Sequence, residues 1–114
     1  MAELRVDADT VVVHLSGLER LVALRGDVEV GRAKVTAARV ATDPWAELRG
    51  MRAPGVGIPG VVMFGTRRGR FGRDFVAISH RQPALVIELR DEPFARLIVS
   101  TPNPDSVAAA LRPG

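Results

Sequence analysis

Six arginines, Arg49, Arg52, Arg67, Arg68, Arg70 and Arg73, fall within residues 49–73, a stretch with no acid and no lysine. A guanidinium is a rigid fork of donors that matches the oxygens of a phosphate or carboxylate two at a time. Six of them without a nearby acid are suited to anions, either lipid headgroups or nucleic-acid phosphates. Phe71, between Arg70 and Arg73, offers a surface on which a base could stack. The opposing reading is a solvated arginine-rich hairpin, with acids from elsewhere folded over it. Strand alternation could also separate Arg67 from Arg73.

The charge balance makes this segment stand out. The net charge is only +3, while residues 1–48 sum to −2, residues 49–73 to +6 and residues 74–114 to −1. The high isoelectric point reflects a chain with no tyrosine or cysteine and a single lysine, where little titrates between histidine and arginine. The excess is local, not global.

Other constellations are weaker. Gly55, Gly57 and Gly60 fit G-x-G-x-x-G, with Asp74 nineteen residues after Gly55. A dinucleotide site needs that motif after a strand and opening a helix; here it follows a proline-bearing loop and leads into Val61-Val62-Met63-Phe64. His14 and His80 show no metal-ligand spacing, and His14 lies within an apolar strand as a buried or edge histidine. Asp7 and Asp9 alone make a poor cation site. Ser16, Ser79, Ser100 and Ser106 lack a nucleophile elbow, and Ser79 and His80, as strand neighbours, point to opposite faces. Trp45 and Phe64 read as core. No catalytic, metal or cofactor site is expected, and the chain reads as a non-enzyme.

The elements that must position the arginines are mostly strands. Leu4 and Val6 alternate with charges, an Asp7-Ala8-Asp9 turn follows, and Thr10–Leu15 is β-branched. Ser16 to Glu19 has capping-box spacing ahead of one or two helical turns that stop at Gly26, although the same run is also compatible with a strand. Val28 and Val30 alternate, and Val35 to Ala41 forms a longer strand. Asp43-Pro44 opens a short helix carrying Trp45 and Leu48 and closing at Gly50. Residues 49–60, crowded with glycine and proline, read as a loop. Strands are then expected at Val61–Gly65, Phe71–Ser79, Ala84–Leu89 and Phe94–Ser100, with a turn at Arg67–Arg70 and short connections that favour an antiparallel meander. Asn103-Pro104-Asp105 opens a final helix with Val107, Ala110 and Leu111 on its apolar side.

This pattern predicts one domain over residues 1–114, mainly β (α+β): a small, partly open antiparallel β-barrel of about 7–8 strands with a C-terminal helix over one end. The N-terminus alternates and carries acids, unlike a signal peptide, and no apolar run could span a bilayer, so a cytoplasmic location is expected. The segments Leu48-Arg49-Gly50-Met51-Arg52-Ala53-Pro54-Gly55, Ile58-Pro59-Gly60 and Phe71-Gly72-Arg73-Asp74-Phe75, with the order of elements, resemble small bacterial pleckstrin-homology-like (PH-like) proteins, common in high-GC bacteria. The resemblance implies a PH-like barrel and says little about activity. The expected role is a binding or scaffolding domain for a protein partner or an anionic membrane surface. Nucleic-acid binding through the same arginines is the alternative, and self-association through an unpaired strand edge a further expectation.

Overall fold

The computed structural model describes residues 3–14, 27–58, 62–79 and 82–111, with residues 3, 51–58 and 62 as backbone only. Alternating burial along valine-rich strands builds the first sheet. Strands β1 (Glu3–Val6), β2 (Thr10–His14) and β3 (Val28–Gly31) pair antiparallel in that order. The register sets Leu4 opposite Val13, Val6 and Val30 opposite Val11, and Val28 opposite Val13, so one face is wholly apolar. Val11, Val13, Val28 and Val30 are buried there, while Glu29 and Arg5 face outward.

A 3₁₀ turn at Arg32–Lys34 leads to the second sheet, made of β4 (Val35–Ala41), β5 (Met51–Ile58), β6 (Val62–Gly69), β7 (Gly72–Ser79), β8 (Ala84–Leu89) and β9 (Arg96–Ser100). The helix α1 (Pro104–Leu111) ends the described chain. Strand order in this six-stranded sheet is β4-β8-β9-β7-β6-β5. It packs Phe64, Phe75, Leu85, Ile87, Leu97 and Val99 against the apolar face of the first sheet, with Ala108 and Leu111 of α1 closing the same core. Its other face holds a second cluster, Ala41, Met63, Val76, Ile78, Val86 and Ile98, against which Trp45 and Leu48 pack. Arg32 ties the layers together, donating from its backbone N–H to the Asp9 carbonyl and from its guanidinium to the carbonyls of Asp7 and Ala110.

The fold is mainly β with one C-terminal helix, as its patterning predicts, but it is two sheets: no closed barrel forms among the described residues. The expected meander is corrected. β9 inserts between β7 and β8, antiparallel to β8 but parallel to β7. The cause is composition. From Asp74 to Ser79, Ala84 to Ile87 and Leu97 to Ser100 the residues are buried without alternation, the mark of strands covered on both faces, and all three occupy the middle of the sheet.

The expected loop at 49–60 is also corrected: Met51–Ile58 is a strand. It lies at the edge of the sheet and its register shifts between Arg52 and Gly55, where Pro54 sits, so the missing proline N–H costs no regular ladder bond. The expected turn at Arg67–Arg70 shrinks to Arg70 and Phe71, because Gly69 and Gly72 still pair. The Asp43-Pro44 helix is one 3₁₀ turn, Pro44–Glu47, without a side-chain cap from Asp43. In α1 the inward positions are Ala108 and Leu111, with Val107 half-buried and Ala110 exposed. The capping-box segment Ser16–Gly26, as well as Pro59, Gly60, Val61 and His80, lies outside the described residues.

Candidate functional site

The arginine segment divides into two groups because β6 alternates. Arg67 stands opposite Asp74 of β7, and Arg68 stands opposite Arg73. The first pair belongs to the face bearing Val76 and Ile78, the second to the face bearing Phe64 and Phe75.

On the first face the guanidiniums are engaged. Arg49 meets the Asp74 carboxylate with both tines, Nε donating to Oδ2 at 2.7 Å and Nη2 to Oδ1 at 3.0 Å. The Asp74 side chain is 1% exposed, and Arg49 is its neutralising partner. The hydrogen bond to Asp74 pushes the Arg49 pKa above its ordinary value. Arg67 donates to the main-chain carbonyls of Arg49 (3.0 Å) and Gly50 (2.8 Å), fixing the backbone that presents Arg49. The Phe71 ring lies under Arg49, 3.9 Å from its guanidinium carbon. That ring fits only because residue 50 is glycine. Gly50 has φ +76°, and a Cβ there would collide with the Arg68 carbonyl and the Phe71 ring.

These contacts fasten a strap, residues 42–50, over the second apolar cluster. Its middle is held as well. Glu47 bonds to Arg39, which holds its pKa below the usual glutamate range, and its main-chain carbonyl accepts from Arg96 at 3.5 Å. Arg96 also donates to Glu88 at 2.7 Å. The result is a chain of alternating charge, Arg39, Glu47, Arg96 and Glu88, along one end of the sheet face.

The second group is arranged differently. Arg68 and Arg70 are exposed and Arg73 is half-buried. None of the three makes an ion pair among the described residues; Arg73 has only the Phe94 ring, 5.4 Å away. Two like charges placed directly across a hairpin repel unless an anion sits between them. Among the described residues, this end of the β6–β7 hairpin is therefore a cationic surface without a paired acid. Arg52 stands opposite Arg67 on β5, and its side chain lies outside the described residues.

Sequence reading grouped all six arginines and missed the Asp74 pairing. The signal was present: Asp74 alternates with Val76 and Ile78 in a strand buried on both faces, and a carboxylate there requires a cation. Phe71, read from the sequence as a surface on which a base could stack, has its ring under the Arg49 guanidinium.

The remaining constellations assemble no reactive centre among the described residues. His14 Nδ1 lies 2.7 Å from Asp27 Oδ2, both partly exposed. Ser100 Oγ accepts the Ser79 N–H, and Ser106 Oγ donates to the Asn103 carbonyl. Gly55 and Gly57 lie within β5, which leads into another strand, so the dinucleotide geometry is absent at these residues. Among the described residues, no group of three or more His, Asp or Glu residues is placed to hold a metal, and no helix is long and apolar enough to cross a membrane. An open groove of about 450 Å³ lies between the end of β4 and the start of α1, walled by Pro83, Pro102 and Pro104. Compared with protein-family models, curated proteins and solved structures, the chain finds no match.

Proposed function

We propose that this chain is a non-enzymatic binding domain that docks on an anionic membrane surface through the end of the β6–β7 hairpin, with Arg68, Arg70 and Arg73 making the contact. The observation that carries this reading is the facing of Arg68 and Arg73 across the hairpin without a paired carboxylate among the described residues. Arg49 and Arg67, which the sequence grouped with them, are structural in this reading. A PH-like relationship belongs to the same proposal. Two β-sheets with a C-terminal helix support it, while the parallel β7–β9 pair departs from an all-antiparallel barrel.

A basic side chain near an anionic leaflet contributes on the order of 1 kcal/mol, so three arginines give weak, salt-sensitive and reversible attachment. RNA binding is the less favoured alternative because Phe71 has its ring under Arg49 and is not offered as a stacking platform. The test is cosedimentation with phosphatidylserine-containing and neutral phosphatidylcholine vesicles, at low and near-physiological salt. Binding to the anionic vesicles alone, lost at higher salt and in the Arg68→Glu/Arg73→Glu variant, is expected. Equal binding to neutral vesicles, or full retention by the variant, overturns the reading.

A further inference from the structure

The four sheet edges are not equally protected. β1 and β3 span only four residues each, and β5 is interrupted by Pro54 and a register shift. Short strands, proline and bulges are the usual devices that stop a strand edge from pairing with another chain. β4 has none of them over Ala37–Ala41. It contains no proline and no lysine there, and it pairs with β8 without interruption from Ala37 to Ala41. Its one irregularity, between Val35 and Ala37, precedes that run. β4 is the terminal strand of the six-stranded order, and Thr36, Ala37 and Arg39 are exposed. Among the described residues, 36–41 make no backbone hydrogen bond beyond the ladder to β8. One face of the strand is backed by α1, through Ala38, Val40 and Val107 at the main core.

We infer that β4 is a self-association edge: two copies of this chain pair β4 against β4 in antiparallel fashion, making one continuous sheet across a two-fold axis. A second copy is the occupant that the charges favour. Arg39 is the only charged side chain on the strand, and its guanidinium is already held by Glu47 with Glu88 at 4.0 Å. Two such edges therefore meet without an unneutralised charge. An antiparallel pairing about Ala38 sets Arg39 opposite Ala37 and Val40 opposite Thr36, with a small or β-branched residue in each pair. The pairing is isologous, so each chain supplies the same donors and acceptors that it receives. The inference is independent of the membrane reading, although a dimer would present two arginine hairpins where one binds weakly.

Sedimentation equilibrium of the full chain, from low to high micromolar concentration, tests this, with Ala37→Lys as the diagnostic variant. Ala37 is exposed and stands opposite Glu88 within its own sheet, so a lysine there suits the single chain while facing the partner's Arg39. The wild type is expected at twice the chain mass, and Ala37→Lys to weaken dimerisation by about tenfold or more, with an unchanged circular dichroism spectrum and, at concentrations low enough for both to be monomeric, an unchanged melting temperature. Hydrogen exchange should show amides in 36–40 protected in the dimer and released on dilution. A monomer at the highest concentration, or a dimer indifferent to Ala37→Lys and without that protection, overturns the inference.

Discussion

Arg67 and Arg68 are chain neighbours, yet the pleat of β6 gives them opposite surroundings. Arg67 reaches the carbonyls of Arg49 and Gly50 beside a buried carboxylate, whereas Arg68 faces Arg73 with no acid among the described residues. On one face positive charge is consumed in holding the strap 42–50 against the sheet. On the other it is left available. A run of one residue type in sequence is thus not a surface; the period of the element carrying it decides how many surfaces there are.

Arg49→Ala should have the largest effect. It leaves the Asp74 carboxylate, 1% exposed, without its cation, and breaking a buried pair in this way costs about 3–5 kcal/mol. Urea denaturation followed by Trp45 emission measures it, since the strap carries both Trp45 and Arg49. Arg49→Met combined with Asp74→Leu should recover much of the loss, because the desolvated charge is gone. A loss below about 1 kcal/mol for Arg49→Ala would place Arg49 with the available arginines and dissolve the distinction.

How much of this was legible follows from where the physics is local. The β-branched run from Thr10 and the alternation of Val28 and Val30 with charged residues announced strands β2 and β3, because both are properties of a local stretch of chain. Asn103-Pro104 announced α1 for equally local reasons. β5 was not legible: glycine and proline at residues 54–57 read as a loop, and only the edge position, set by distant strands, makes that composition tolerable in a sheet. The insertion of β9 between β7 and β8 was also hidden, since short connections favour adjacency and only burial on both faces argues otherwise. Within the site, the isolated carboxylate at Asp74 was visible as an oddity, but its partner lay twenty-five residues earlier beyond a strand not yet recognised.

Acid should loosen the middle of the strap by a smaller amount. The folded pKa of Glu47 lies below its unfolded value because Arg39 hydrogen-bonds the carboxylate. Its contribution is therefore fully present above the unfolded value, about 4.3, and is lost as pH falls through the depressed folded one. The pair is partly exposed, so the loss is about 1 kcal/mol or less. Urea midpoints at neutral pH and at about pH 3 should differ less in Glu47→Gln than in the wild type. An identical acid response in both would remove Glu47 from the strap's fastening.

The smallest effect on stability, and the sharpest contrast, belongs to Arg68→Ser and Arg73→Ser. No ion pair is lost with either among the described residues, and removing one partner relieves repulsion between charges that face each other across the hairpin. Arg68→Ser should change the unfolding free energy by no more than about 0.5 kcal/mol, the usual range for surface positions. Arg73→Ser should cost somewhat more, about 0.5–1 kcal/mol, because its guanidinium lies near the Phe94 ring. Both should weaken vesicle binding although neither disturbs the fold, whereas Arg49→Ala unfolds the strap and leaves the hairpin charges in place. That separation of stability from binding is what two differently employed groups of arginines require, and a variant of Arg68 that lost both together would show the groups to be one.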